Sequence, residues 1–441
     1  MLNSILIENF KSYKSQRLPL APLTLMIGAN ASGKTNAIEA FRFLSWVVGG
    51  EKLSTIKNRI NDSERIFRGD VRDLVYKGAE SFGLGAEVAD YRLHMRIVSN
   101  DNELEVLSEK MTHINSEKEI YWTYLNPDSH RHEIRCNAQT TRSNGETFNS
   151  LYHLEYSSQL NVGQQILYLL PVLNGIEQKG TQLAEKDVHT VEESAISEVL
   201  NALSNVIFFD LIPSAMRGDS YPEARLLNTG ANLAGVLHTL WQQPDQQAHI
   251  LEFIQSLPEQ DIKELKFYTD HRGRVELALI ETFGHQDQEQ SIELLSDGTL
   301  RVLAIAAALL SAPEGSTVVI EEVDNGVHPS RAKQLLTTMR EHAERRNLRL
   351  LLSTHNPALM DALPDEALGD VVFCYRDPND GDSRLVRLSD LDDYMGLVMQ
   401  GSLGQLVTRG IVDRFVKNPV TPEEKKQKAL DWLAMMQGDD E

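Results

Sequence analysis

Cysteine is almost absent: Cys136 and Cys374 are the only two in 441 residues. Two thiols are too few for a disulfide framework or a thiolate metal cluster and fit a reducing compartment, so a cytoplasmic location is expected and both read as small core side chains. Long apolar runs are missing as well. No uninterrupted stretch of about 18 apolar residues occurs, so no membrane-spanning helix and no membrane partner are expected. The N-terminus Met1-Leu2-Asn3-Ser4-Ile5-Leu6-Ile7 lacks the charged region of a signal peptide and reads as a strand. Positive charge is in short supply, with 43 basic against 64 acidic residues and a formal net charge of −21. That balance argues against a broad basic face for coating DNA and leaves room only for a local groove. The one basic concentration contains Arg59, Arg65, Arg68 and Arg72, and Asp62, Glu64, Asp70 and Asp73 dilute it.

What is present is ordinary for a folded chain: 41% hydrophobic and 24% charged residues, at a length that suits one to three structural units. Short β-type runs at 5–7, 17–20 and 23–27 lead into a glycine-rich loop, and 36–48 has helical spacing. Alternating or β-rich runs over 82–136 predict an antiparallel β-layer. A polar loop at 140–146 and helical patterns at 164–173 and 191–203 predict a helical lobe. Beyond it come a strand at 206–212, helices at 232–241 and 248–257, and paired strands at 265–269 and 275–282. The last third alternates helix 300–310, strand 317–321, helix 330–345 and strand 348–353, which implies a largely parallel sheet. The expected division is a head made of 1–140 and 260–390, an inserted, mainly helical lobe at 141–259, and a C-terminal helical segment at 391–441. A helix within 421–436 is a candidate docking element, with plain packing as the simpler reading.

The chemistry is concentrated in four places. Gly28-Ala29-Asn30-Ala31-Ser32-Gly33-Lys34-Thr35 matches the eight-residue P-loop pattern in full, between a strand and a helix. Gly28 and Gly33 let the backbone wrap an anion so that successive N–H groups and the helix N-terminus face phosphate. Lys34 is expected to neutralise the β- and γ-phosphates, and Thr35 to hold Mg²⁺ through its hydroxyl. Val318-Val319-Ile320-Glu321-Glu322 is an apolar strand that ends in two carboxylates. One suits the Mg²⁺ shell and the other suits orienting an attacking water. Leu295-Ser296-Asp297-Gly298-Thr299 opens a helix with residues that serve as a plain N-cap or as anion contacts, and alone it favours the cap. Ser353-Thr354-His355-Asn356-Pro357 places His355 just past another apolar strand, at a position suited to sensing a γ-phosphate.

The order of these motifs is that of ABC-class ATPases, and the chain resembles the RecF/SMC/OLD-like group, often described as AAA-family ATPases of bacterial DNA repair and phage defence. Ile7-Glu8-Asn9-Phe10-Lys11-Ser12-Tyr13 ahead of Gly28 to Asn36 is similar to their N-terminal signature. Glu321-Glu322-Val323-Asp324-Asn325-Gly326-Val327-His328-Pro329 is similar to their Walker B and D-loop segment. The resemblance covers 1–50 and 290–375. It implies an α/β P-loop head with a mixed or parallel sheet, an antiparallel β-layer and an inserted helical lobe.

It further implies that Asn30, Ala31, Ser32, Gly33, Lys34, Thr35 and Asn36 bind ATP with Gly28, and that Glu321 lies near Mg²⁺ with Thr35. Glu322 would be the catalytic base, with His355 the switch histidine. Ser296, Asp297 and Gly298 would meet an ATP held by a second copy in a head-to-tail dimer, with Asp324 and Asn325 on the loop crossing that interface. Position 321 is Glu where many members carry Asp, and Gln159, Gln164 and Gln165 leave the Q-loop unassigned. Lys11 and Tyr13 either touch the nucleotide base or form a turn between strands.

Long heptad coiled coils are missing between Thr35 and Ser296, which removes cohesin-like bridging. Asp380-Gly381-Asp382 reads as a polar turn rather than a nuclease centre. Two roles remain: an ATP-gated homodimer that regulates a separately encoded effector, such as a nuclease or toxin, or a RecF-like ATPase that clamps DNA. The acidic balance favours the first.

Overall fold

The computed structural model describes residues 1–51, 53–56, 66–100, 103–126, 131–141, 147–156, 190–254, 262–283, 286–323 and 329–417. The D-loop pair Asp324 and Asn325, the helix expected at 164–173, the glutamines Gln159, Gln164 and Gln165, and the C-terminal helix at 421–436 lie outside the described residues.

The centre is a six-stranded sheet in the order β10 (Val206–Phe209), β14 (Thr317–Ile320), β15 (Arg349–Ser353), β3 (Leu23–Ile27), β16 (Val372–Arg376) and β17 (Ser383–Arg387). All neighbours run parallel except the last pair, β16 and β17. Both faces of this sheet are covered, which is why its strands are unbroken apolar runs rather than alternating ones. Leu23, Leu25 and Ile27 of β3, Val318 and Ile320 of β14, and Leu350 and Leu352 of β15 face one core. Met26, Val319 and Leu351, on the opposite side of the same strands, face the other.

The first core holds α4 (Leu233–Trp241), α5 (Pro244–Ile254), α6 (Asp297–Ser311) and α7 (Pro329–Arg345). Against it lies a three-stranded antiparallel sheet of β11 (Ile262–Thr269), β12 (Val275–Phe283) and β13 (Gln286–Ser291). The second core holds α1 (Lys34–Val48) and α2 (Thr190–Ser204). It is closed by an eight-stranded antiparallel layer in the order β2 (Tyr13–Pro19), β1 (Leu2–Phe10), β4 (Ser81–Val88), β5 (Tyr91–Asn100), β6 (Glu103–His113), β7 (Glu119–Asn126), β8 (Arg131–Thr141) and β9 (Thr147–Tyr156). Short helices complete the described chain: α3 (Pro213–Met216), α8 (Pro357–Asp361), α9 (Tyr394–Val398), α10 (Leu403–Thr408) and α11 (Ile411–Lys417).

The expected boundary near residue 141 is not where the layer ends. Strand β9 pairs with β8 from Thr147 to Tyr156, so the segment assigned to a helical lobe begins as the last strand of the β-layer. Nor do residues 206–254 form a lobe, because β10 is the edge of the central sheet and α4 and α5 pack in its first core. Strands β13 and β17 were not expected. The sequence of β13, Gln286-Asp287-Gln288-Glu289-Gln290-Ser291, has no apolar side to betray a strand, and it is held by backbone pairing with β12.

Candidate functional site

Parallel strands β3, β14 and β15 all point the same way, so their C-terminal ends meet at one edge of the sheet. The loop after each carries one of the sequence motifs. Between β3 and α1 the chain turns through Gly28 (φ 146°), Ala31 (φ 63°) and Gly33 (φ 120°). Both glycines are required by packing as well as by backbone angle. A Cβ at Gly28 would collide with the Cys374 carbonyl oxygen, and one at Gly33 with the Ser383 hydroxyl. Strands β16 and β17 thus form the wall behind the loop. Ser383 Oγ donates to the Ser32 carbonyl at 2.6 Å, and Arg376 Nε donates to the Ala31 carbonyl at 3.1 Å. Lys34 Nζ donates to the carbonyls of Gly28 (2.6 Å) and Ala29 (3.0 Å), folding its ammonium back over the loop. At the mouth, Asn36 Nδ2 donates to Ser12 Oγ at 2.8 Å.

Strand β14 delivers the carboxylates. Glu321 is half-buried and takes a 2.9 Å hydrogen bond from Arg42 Nη2 of α1. Burial pushes the Glu321 carboxyl up from its ordinary value; Arg42 pulls it back, Asp210 adds to the rise, and Arg68 opposes it. Glu322 is exposed and has left-handed backbone (φ 49°). A non-glycine residue held there costs about 1–3 kcal/mol, and such strain gathers at working sites. What holds it is Ser353 at the end of β15. Its hydroxyl accepts the Glu322 N–H at 3.0 Å, while its carbonyl accepts the Val323 N–H at 3.1 Å. Beyond Ser353, the Thr354 N–H reaches the Met26 carbonyl at 3.2 Å, and the exposed His355 follows.

These groups surround one cavity of about 650 Å³. Asn30, Ala31, Gly33, Lys34, Thr35, Asn36, Glu321, Glu322 and His355 all line it. Gly28 and Ser32 are buried in the wall rather than at its surface. Ser296, Asp297 and Gly298 do not line it; they sit at the start of α6, with Ser296 and Asp297 exposed. Ser296 acts there as the N-cap, accepting the Thr299 N–H at 3.1 Å. Lys11 and Tyr13 resolve toward the structural alternative. Tyr13 is fully buried, donating to the Gly33 carbonyl at 3.0 Å beside Cys374 Sγ at 3.3 Å. Lys11 is paired with Glu39.

Several lining residues escaped the sequence reading. Glu39 and Arg42 lie on the face of α1 that starts at Thr35, four and seven residues on. That polar stripe on an otherwise apolar helix is the signal that would have found them. Glu39 is buried and accepts the Arg68 N–H at 3.0 Å. Arg42 stacks its guanidinium 5.1 Å from the Phe208 ring. Arg68, Asp210, Asn228 and Thr229 reach the cavity from segments without a motif. Outside the cavity lining, Arg217 Nη1 donates to the carbonyls of Glu293 and Leu295, both at 2.7 Å, and Nη2 donates to Asp297 at 2.6 Å, fixing the turn into α6.

A thin-walled loop with a lysine over it, two carboxylates and a histidine on one cavity has the chemistry to hold a polyphosphate and act on its terminal bond. The thiol of Cys374 takes no part, since burial pushes it up from its ordinary value beneath the loop.

Comparison with known proteins agrees. Residues 4–205 match the family described as "AAA domain", and residues 199–361 match that described as "AAA domain, putative AbiEii toxin, Type IV TA system". An "ATP/GTP phosphatase" of Helicobacter pylori is 21% identical over 401 residues, covering 90% of this chain and 94% of that protein. Among solved structures, an SMC head bound to the C-winged helix domain of ScpA aligns at 13% identity and TM-score 0.45, over 87% of this chain and 96% of that one. The SMC head domain from Thermotoga maritima aligns at 15% identity and TM-score 0.36, over 88% and 98%. Two adjoining stretches of the chain thus match AAA-domain families, and the P-loop, the paired carboxylates and the histidine gather on one sheet edge, the arrangement of a nucleotide hydrolase.

Proposed function

We propose that the protein hydrolyses ATP with Mg²⁺ at a site completed by a second copy of itself, and that the ATP-closed homodimer controls a separate effector protein. The observation that carries this is the division of the motifs. The P-loop, Glu321, Glu322 and His355 share one cavity, while Ser296 to Gly298 lie outside its lining with Ser296 and Asp297 exposed, which supports a site shared between two copies.

The donor set fits Mg²⁺: Thr35 and the carboxylates of Glu321 and Glu322 all face the cavity beside Lys34. When bound, the ion would offset charge on the phosphate oxygens. The remaining work falls to the chain. Lys34 leaves its two loop carbonyls for the phosphates. Arg42 holds the Glu321 carboxylate in place. Glu322, kept in its left-handed conformation by Ser353, orients and deprotonates the attacking water. His355 contacts the γ-phosphate from the β15 end. Ser296 and Gly298 of the second copy close over it.

An effector, a nuclease or toxin of a phage-defence system, accords with the toxin–antitoxin wording of the matching family and with the net charge of −21. The same charge weighs against a RecF-like DNA clamp, since DNA held by its backbone needs clustered Lys and Arg.

The test is Glu322→Gln. It should bind ATP, lose hydrolysis by about 10²–10⁴-fold, and accumulate as a dimer in light scattering. Clean wild-type protein without ATPase activity would sink the enzymatic reading. A Glu322→Gln monomer at saturating ATP would sink the composite site.

A further inference from the structure

Far from the nucleotide cavity, α5 and α7 bring two imidazoles and a carboxylate together. His249 and Glu252 are three residues apart on one face of α5, and His342 faces them from α7. His342 is 1% exposed, whereas His249 and Glu252 are part-exposed. His342 Nε2 lies 3.1 Å from Glu252 Oε2, and His249 Nδ1 lies 3.7 Å from that same oxygen. The three candidate ligand atoms all fall within 4.8 Å of one another. The two rings meet edge to face, with centroids 4.7 Å apart at 87°. Phe253 stacks on His342 at 4.9 Å and fixes its plane.

His342 Nε2 and Glu252 Oε2 are within hydrogen-bond distance, and Arg345 Nη1 donates to His249 Nδ1 at 3.4 Å, since a guanidinium has only donors. Accepting from Arg345, Nδ1 carries no proton, so it and Glu252 Oε2 are two electron-pair donors 3.7 Å apart beside an exposed cationic side chain. A metal ion could take the place of that exposed Arg345 contact. Ligands about 2.1 Å from a tetrahedral ion stand about 3.4 Å apart, and the two measured separations bracket that value.

We propose that His249, Glu252 and His342 form a binding site for a divalent transition metal of the zinc type, with solvent as the fourth ligand, that ties α5 to α7. Two imidazoles and one carboxylate are the donors such an ion prefers over Mg²⁺. Because α7 follows the segment after Glu322, the ion would brace the helix leading away from the paired carboxylates.

The test is calorimetric titration of EDTA-treated full-length protein with Zn²⁺ alone, in excess Mg²⁺ and without nucleotide, alongside Co²⁺ as a spectroscopic probe. One equivalent should bind, with a visible d–d band from Co²⁺, and His249→Ala and Glu252→Gln should each weaken binding at least about tenfold. Both changes fall on part-exposed side chains, so folding is retained where His342→Ala risks it; circular dichroism checks this. Equal Zn²⁺ affinity in wild type and both variants would overturn the proposal. So would a wild-type protein that binds no Zn²⁺ at micromolar concentration.

Discussion

Two regions of the molecule carry motifs, and they are built in opposite ways. At the C-terminal edge of the central sheet, four loops from distant parts of the sequence converge, and every group there is braced by another: Lys34 by loop carbonyls, Glu321 by Arg42, Glu322 by Ser353. At the start of α6 the motif is a single continuous turn, exposed, with Ser296 occupied in capping its own helix and Arg217 clamping the turn from one side. The first region has a cavity and the chemistry to act inside it. The second has a shaped surface and nothing of its own to act upon. A surface held that firmly without a ligand of its own suits recognition of something brought to it, and under the proposed function that is ATP on a second copy.

The largest expected effect separates the two regions completely. Lys34→Ala should abolish nucleotide binding, measured by fluorescent-nucleotide titration, because Lys34 supplies the ammonium folded over the loop carbonyls, while Arg376 is engaged with the Ala31 carbonyl at the loop wall. Unchanged ATP affinity would remove the P-loop assignment. The signature region should behave differently. Ser296→Arg should leave ATP affinity of the isolated chain intact and eliminate hydrolysis. Mixing the two inactive chains makes the contrast sharper. A mixed dimer pairs the intact P-loop of the Ser296→Arg chain with the intact signature of the Lys34→Ala chain, so activity should return; a mixture as inactive as its parts would show that the two regions do not meet across copies.

How much of this was legible without coordinates follows from what each feature depends on. The P-loop, the paired carboxylates and the histidine could be read because each is a short run tied to a strand end, and β3, β14 and β15 are buried on both faces and so unmistakably apolar. The brace residues could not. Arg42 matters because α1 turns it toward Glu321 at the end of β14, and Ser353 because the last residue of β15 lies beside the Glu322 amide. Strand β17 was missed although with β16 it walls the P-loop, since Leu385 and Val386 form an apolar run too short to announce a strand. The lobe boundary failed for a different reason: the polar stretch at 140–146 was read as the end of the layer, although Tyr152, Leu154 and Tyr156 beyond it alternate as a strand does and belong to the segment that pairs with β8.

A smaller effect is expected where a brace, rather than a chemical group, is removed. Ser353→Ala leaves the Glu322 N–H without its acceptor while keeping the carboxylate itself. An unsatisfied donor of that kind is worth about 1.4 kcal/mol, roughly a tenfold fall in kcat, with ATP affinity unchanged. Equal losses in binding and turnover would mean that Ser353 supports the cavity in general and not the base.

The smallest effect should come from the corresponding brace in the other region. Arg217 does two things there: it satisfies the carbonyls of Glu293 and Leu295, and it neutralises Asp297 at the first turn of α6. An unpaired Asp297 would add negative charge where a partner's γ-phosphate is to be received. The pair is partly exposed and therefore screened, so the penalty is modest. Arg217→Ala should leave ATP binding by the single chain untouched and weaken ATP-driven dimerisation by about threefold to tenfold, with the deficit shrinking as salt is raised. Arg217→Lys should restore the charge but not both carbonyl contacts, and so fall between the two. Sedimentation with the Glu322→Gln background, which holds ATP in place, measures this directly. A dimer as stable in Arg217→Ala as in its parent would make the clamp a local folding feature, and the firmness of that exposed turn would then need another cause.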